Sequence, residues 1–151
     1  MQMKQVKDYK QAFHECLKRM GLRSTVQRDV IVDEFFAQDR HLTPEELYRI
    51  LRRKHRRIGF STVYRTLKLL TGCSLVREVG TSNGTTLFEA SFNHPHHDHL
   101  ICDCCGKLIE FLDQEIESIQ ERVALKHQFH MTGHRLIIQG ICRECIKKGK
   151  S

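Results

Sequence analysis

The chain has 151 residues, 40% of them hydrophobic, which allows one domain or two small ones and argues against a large enzyme scaffold. No run of eighteen apolar residues occurs, and the charged start MQMKQVKDYK has no apolar stretch of its own, so neither a membrane span nor an export signal is expected and the chain reads as cytoplasmic. Lys and Arg number 25 against 18 Asp and Glu, a net +7 that bears on polyanionic partners according to where it lies.

Residues 1–91 hold 17 basic and 10 acidic side chains while residues 92–151 hold 8 of each, so the whole excess is N-terminal. Seven of the ten His and five of the seven Cys lie instead after residue 91. Without an export signal the cysteines are expected to stay reduced, which favours metal or redox sites over a disulfide framework. The sequence therefore divides into a basic half, 1–90, and a metal-rich half, 91–151.

Val6, Tyr9, Phe13, Cys16, Leu17 and Met20 recur at spacings of three and four, predicting an amphipathic helix ended by Gly21. Thr25 is placed to cap a second helix carrying Val30, Ile31 and Phe35. Thr43-Pro44-Glu45-Glu46 combines an N-cap, a proline at the first helical position and a capping-box glutamate, with Leu42 and Leu47 as a staple and Ile50 and Leu51 continuing the buried stripe. After the basic run 52–57, Ser61 is expected to cap a fourth helix that Gly72 ends. Val63, Leu67 and Leu70 share one side of that helix, and Ser61, Tyr64, Arg65 and Lys68 share the other. Leu75 to Val79 and Thr85 to Ala90 read as strands around the turn signal Ser82-Asn83-Gly84.

Helices followed by a hairpin, with a polar cationic face on the last helix, are the organisation of a winged helix-turn-helix that would place that face in a DNA major groove. A solvated face on an ordinary helical domain is the other reading of the same pattern.

In the second half Cys102 and Cys105 form one Cys-x-x-Cys and Cys142 and Cys145 another, after 36 intervening residues. Four thiolates so spaced suit a structural Zn²⁺, with redox dithiols, unligated core thiols or an iron-sulfur cluster as alternatives and Cys104 as a spare. In His96-His97-Asp98-His99 strand alternation puts His97 and His99 on one face and His96 and Asp98 on the other, which predicts two separate metal sites; a solvated His-rich loop is the alternative. Leu108 to Phe111, carrying Glu110, is expected to be a strand. A helix from Asp113 to Lys126 follows, bearing Glu117 and turning Ile116, Ile119 and Val123 inward. Phe129 to Met131 and Arg135 to Ile141, with His134 at its start, are expected to complete the sheet, leaving His127 and His130 as bystanders.

The STVYRTL segment in a winged helix, then HHDHLIC, then paired Cys-x-x-Cys resembles the ferric uptake regulator superfamily of bacterial metal-dependent repressors, and its iron-sensing branch most closely, from about Leu17 to Cys145. The resemblance implies an α+β chain, an N-terminal winged helix-turn-helix (1–90) followed by a small C-terminal α/β dimerisation domain (91–151). It implies a homodimer binding palindromic double-stranded operators of iron-uptake and iron-homeostasis genes, with no membrane partner, no small-molecule substrate and no enzymatic activity. His41, Glu89, His97, His99 and Glu110 match a regulatory Fe²⁺ site bridging the domains, where Mn²⁺, Co²⁺ or Zn²⁺ can substitute. His96, Asp98, Glu117 and His134 match a second site, and Cys102, Cys105, Cys142 and Cys145 the structural zinc. Arg23, Ser61, Thr62, Tyr64 and Arg65 match DNA-contacting positions. A longer spacer, Asn93-His94-Pro95, separates Glu89 from the histidines. Peroxide-sensing relatives tend to carry Asp where this chain has Glu89 and Glu110, and zinc-sensing relatives usually add a cysteine; both are the alternatives within the superfamily. An enzyme reading lacks H-E-x-x-H and H-x-E with P-C-x-x-C. A zinc-stapled protein-binding module would leave the cationic helix without a role.

Overall fold

The computed structural model describes residues 5–82, 84–92 and 94–150 and divides into two compact units, Met1–Pro95 and His96–Ser151. Asn83 of the expected turn, Asn93 of the spacer and the side chain of Val6 lie outside the described residues.

The first unit contains α1 (Gln5–Arg19), α2 (Val26–Ala37), α3 (Pro44–Arg52) and α4 (Phe60–Gly72), then the antiparallel strands β1 (Val76–Ser82) and β2 (Thr85–Ala90). Tyr9, Phe13 and Leu17 are buried along α1, but Met20 is 49% exposed because the helix stops before it. Gly21 supplies the stop: at φ 71° its neighbour Leu22 can return its N–H to the Leu17 carbonyl at 2.8 Å. Thr25 caps α2 by accepting the Arg28 N–H, and Thr43 and Glu46 exchange both bonds of the expected capping box on α3. The fourth helix departs from expectation at its start. Gly59, extended at φ −85° and ψ 158°, occupies the N-cap and offers no side chain, which leaves Ser61 inside the first turn instead of capping it.

Leu42, Leu47, Leu51, Val63, Leu67, Leu70 and Phe88 are fully buried and join α3 and α4 to the hairpin. Leu42 does so through the backbone as well: it forms an isolated antiparallel bridge with Phe88, at 3.0 and 2.8 Å.

The second unit contains β3 (Asp98–Cys102), β4 (Leu108–Phe111), α5 (Gln114–Lys126), β5 (Ile137–Gly140) and α6 (Arg143–Lys147). Its sheet runs β4-β3-β5, antiparallel between β3 and β4 and parallel between β3 and β5, so α5 serves as the crossover that a parallel pair requires. Phe129 to Met131 is not a strand. Gln128 at φ 54° turns the chain back so that the Phe129 N–H bonds the Ala124 carbonyl, a helix-stop geometry incompatible with an immediate strand. The last strand is shorter than Arg135 to Ile141, and the single turn of α6 that follows was not expected. Ile119 and Val123 do not point inward either: they are 48% and 53% exposed, and α5 buries none of its residues.

One covalent feature runs against the expected reduced state. Cys16 of α1 and Cys73, the C-cap of α4, form a disulfide. The two lie 57 residues apart; Cys16 falls in the buried apolar stripe of α1 and Cys73 packs half-buried against the core, so neither announces a pairing. In the chain-entropy account a loop of that size stabilises by about 4 kcal/mol. Reductant should therefore lower the urea midpoint of the wild-type protein by an amount corresponding to roughly that figure, and should leave a Cys16→Ala/Cys73→Ala variant unchanged. Equal midpoints for oxidised and reduced wild type would remove the staple from the stability of this unit.

Candidate functional site

Among the described residues two groups of metal-ligand side chains form within the second unit, and a further set of ligand types is divided between the units. The first gathers at the end of β3. Gly106 at φ 71° folds the chain after Cys102 through a tight turn, its N–H bonding the Cys102 carbonyl at 2.9 Å, and this returns Cys105 toward the strand. Cys142 caps α6 and Cys145 lies within it, so the helical turn aims both sulfurs the same way. The Sγ atoms of Cys102 and Cys145 are 3.9 Å apart and those of Cys105 and Cys142 3.7 Å, with all four within 4.8 Å of one another. A tetrahedron with Zn–S bonds of 2.3 Å has edges of about 3.8 Å, so the thiolates fit one zinc ion. Cys104 stands outside this cluster.

The thiols are electrostatically unequal. The Cys142 backbone N–H, 3.3 Å from the Cys102 sulfur, together with the N–H groups of Cys105 and Cys104, brings the Cys102 thiol down to about 6. Burial and the three neighbouring sulfurs push Cys145 far up. At Cys105 the Lys107 N–H favours the thiolate, but the Cys102 sulfur, burial and the Cys142 sulfur override it and raise the thiol. One charge is thus accommodated readily and further charges are resisted, the situation a divalent cation relieves.

The second group is His96, Asp98, Glu117 and His134, whose ligand atoms also lie within 4.8 Å of one another. Asp98 opens β3 and is fully buried, and neither of its carboxylate oxygens has a hydrogen-bond partner. Its near neighbour is His96 Nε2 at 3.4 Å, which stands at the same distance from Glu117, and His134 Nε2 is 3.1 Å from Glu117. A buried carboxylate without hydrogen bonds is costly unless a cation sits against it, and two carboxylates with two imidazoles suit a divalent ion.

The remaining ligand types are divided between the units. In the first, the Leu42–Phe88 bridge sets His41 beside Glu89, with His41 Nε2 3.5 Å from a Glu89 carboxylate oxygen that is itself buried. Arg77, directly across the hairpin from Glu89, donates to its other oxygen at 2.9 Å. In the second, strand alternation holds although β3 begins only at Asp98: the rings of His97 and His99 are 4.9 Å apart, His97 Nε2 is 3.7 Å from Glu110, and Glu110 stands opposite His99 on β4. His127 and His130 are exposed and belong to none of these groups.

The polar face of α4 is outward as expected. Ser61, Tyr64, Arg65 and Lys68 are exposed, Thr62 is half-buried, and Val63, Leu67 and Leu70 are in the core. Arg65 is steadied by its Nε–H to the Ser61 carbonyl at 3.2 Å. Lys68 is engaged with Glu78 of β1, a pairing that helical periodicity does not reveal. Arg23 is exposed just before α2, its carbonyl accepting from Arg28. Two further residues escaped the sequence reading: Arg77, identifiable only from hairpin register, and Phe60, whose four-residue spacing from Tyr64 was a readable signal.

The family model of the ferric uptake regulator family matches residues 19–139. A ferric uptake regulation protein of Campylobacter upsaliensis is 40% identical over 140 residues, covering 91% of this chain and 89% of its own. Among solved structures, that of the Helicobacter pylori ferric uptake regulator Fur, for which three functional metal binding sites are described, superposes with a TM-score of 0.80 at 33% identity over 93% of each chain. That of the Pseudomonas aeruginosa ferric uptake regulator with manganese does so at 0.71 and 30% identity, over 84% of this chain and 95% of its own.

The thiol energetics give a test. Because Cys105 and Cys145 are both raised, each must lose a proton when the cluster takes zinc at neutral pH. The apparent zinc affinity should then climb at least about a hundredfold per pH unit between roughly pH 7 and 8.5, measured by competition with a chelator corrected for its own protonation. A rise of less than tenfold per unit would mean that these thiols are already ionised.

Proposed function

This chain belongs to the ferric uptake regulator family of metal-responsive regulators, and we propose that it is an Fe²⁺-responsive, DNA-binding repressor of iron-uptake and iron-homeostasis genes. The observation that carries the proposal is the division of donors. His41 and Glu89 pair in the basic unit, while His97, His99 and Glu110 cluster in the other. Two donors make a weak site and three an incomplete one, so a single ion drawing on both sets would bind far better to the arrangement that lets both contribute. That differential affinity is what a metal-controlled conformational equilibrium requires.

Metal recruitment would fix the α4 face for DNA, with Tyr64, Ser61 and Thr62 toward base edges and Arg65 and Arg23 toward the backbone or minor groove. Cys102, Cys105, Cys142 and Cys145 would hold structural zinc, and His96, Asp98, Glu117 and His134 a second ion. The acting species would be a homodimer on a palindromic operator in the cytoplasm. Ile119 and Val123, four residues apart and so neighbours on one side of α5, leave that helix with an exposed apolar stripe that a second copy could cover. The ligand types exclude neither Mn²⁺, Co²⁺ nor Zn²⁺, and peroxide or zinc sensing is the rival reading.

His97→Ala should retain its zinc and its dimer yet lose metal-stimulated operator binding, whereas His127→Ala should match wild type. Binding titrations with Fe²⁺ and Mn²⁺, alongside metal analysis, decide this: full metal-dependent affinity in His97→Ala would transfer the sensor role to the His96, Asp98, Glu117 and His134 group. On the DNA side, Arg65→Ala should weaken specific and random duplexes alike and reduce the steepness of the salt dependence by about one phosphate contact. An unchanged salt slope would place the backbone contacts elsewhere.

A further inference from the structure

We propose that Phe60 is a positioning residue for sequence readout, holding the ring of Tyr64 in the orientation from which it meets DNA. The inference rests on the DNA-binding reading above and assigns a task to a side chain that neither the core nor the metal groups use. Phe60 is the first residue of α4 and is 38% exposed, while the buried positions of that helix are Val63, Thr66, Leu67 and Leu70.

Residues four apart on a helix are neighbours on its surface. The Phe60 and Tyr64 rings are stacked, with centroids 6.5 Å apart and planes inclined by 29°. Phe60 is in turn braced by Tyr48 of α3, edge to face at 5.8 Å and 82°, and the Arg52 guanidinium lies 5.8 Å over Tyr48. On the far side of Tyr64, one turn along, Lys68 Nζ is 5.8 Å over the phenol ring and is itself anchored by Glu78 of β1. The Tyr64 ring therefore stands between an aromatic support fixed to α3 and a cation fixed to the hairpin, although it is 42% exposed.

Aromatic rings and cations held in this way restrict rotation of a side chain that solvent would otherwise leave free. A ring already ordered loses less conformational freedom when it meets its target, and it presents one orientation to the groove instead of several. Orientation matters for reading base edges and thymine methyls and is nearly irrelevant to phosphate attraction. Phe60 should consequently influence discrimination between sequences more than overall affinity, and it should do so through Tyr64.

The test uses the full-length, Mn²⁺-loaded protein and duplexes enriched by the wild-type protein from a random pool, with scrambled duplexes of equal length as reference. Phe60→Ala should lower the ratio of selected to scrambled affinity by about tenfold while leaving scrambled binding and the salt slope unchanged. Phe60→Tyr, which keeps the stacked ring, should retain the wild-type ratio and guards against a folding defect. In a Tyr64→Ala background Phe60→Ala should have no further effect. The proposal is overturned if the loss is as large in that background, which would make Phe60 a direct DNA contact, or if Phe60→Ala leaves the ratio intact. A parallel fall on both duplex types would likewise overturn it by assigning a general structural role. If the wild-type protein enriches no sequence at all, the DNA-binding reading itself fails, an outcome visible before any variant is made.

Discussion

Two backbone hydrogen bonds, from Leu42 to Phe88 and back, organise the basic unit. They join the residue that enters α3 to the middle of β2, and both side chains are fully buried, so the helical layer and the hairpin share one core. The bridge also fixes chemistry. With Leu42 and Phe88 facing inward, the adjacent His41 and Glu89 meet beside them, and the hairpin register places Arg77 across from Glu89. A carboxylate this buried needs positive charge near it, and Arg77 supplies that charge within the unit. On the proposed reading an incoming cation would meet a carboxylate already ordered, with one oxygen engaged by Arg77 and the other turned to His41.

The second unit is governed by a different constraint. Its buried apolar side chains among the described residues are Ile101, Cys102 and Cys145, two of which are members of the thiol cluster, while Asp98 and His99 occupy interior positions beside them. Fewer than sixty residues with so small a core do not sustain a fold by burial alone; such domains rely on metals or on association. The exposed apolar residues of α5, together with Ile109 and Ile138 of the sheet, belong to the same deficit. The absence of buried residues on α5, contrary to its amphipathic pattern, is then consistent with a stripe that faces a partner subunit. Periodicity identifies which side of a helix is apolar and is silent about which molecule covers it.

That distinction explains how much could be read in advance. Thr43 and Glu46 are three residues apart, so the start of α3 was evident, and the Cys-x-x-Cys pairs and the alternating histidines are equally local. Resemblance to a known family supplied the grouping of Glu117 and His134 with His96 and Asp98, which no local rule could give. What escaped depended on contacts between distant segments: the Cys16–Cys73 pair across 57 residues, the Lys68–Glu78 pairing, and the Arg77 partner of Glu89. The misplaced cap at Ser61 had a different origin, since side-chain capping preference was outweighed by a glycine already extended two residues earlier. Likewise the strand expected at Phe129 was lost to Gln128, a non-glycine residue in a left-handed conformation that sequence preferences do not anticipate.

The three ligand groups also differ in the metals they can discriminate. Four thiolates are soft and enclosing, which suits zinc and leaves no open position for exchange. The nitrogen and oxygen groups discriminate poorly, because divalent ions bind such donors in an order set by the ions themselves. A sensor built from them would gain selectivity from geometry and from which ion the cell leaves available. Splitting its donors between two units adds one more element. On the proposed reading the ion would have to offset any cost of letting both sets contribute, so an ion that tolerates incomplete or distorted coordination could bind without driving the change, and binding strength and regulatory effect would become separate properties. On the same reading linkage would make the converse follow: operator DNA that favours the metal-competent arrangement would raise the affinity for the ion by the same factor by which the ion raises affinity for DNA.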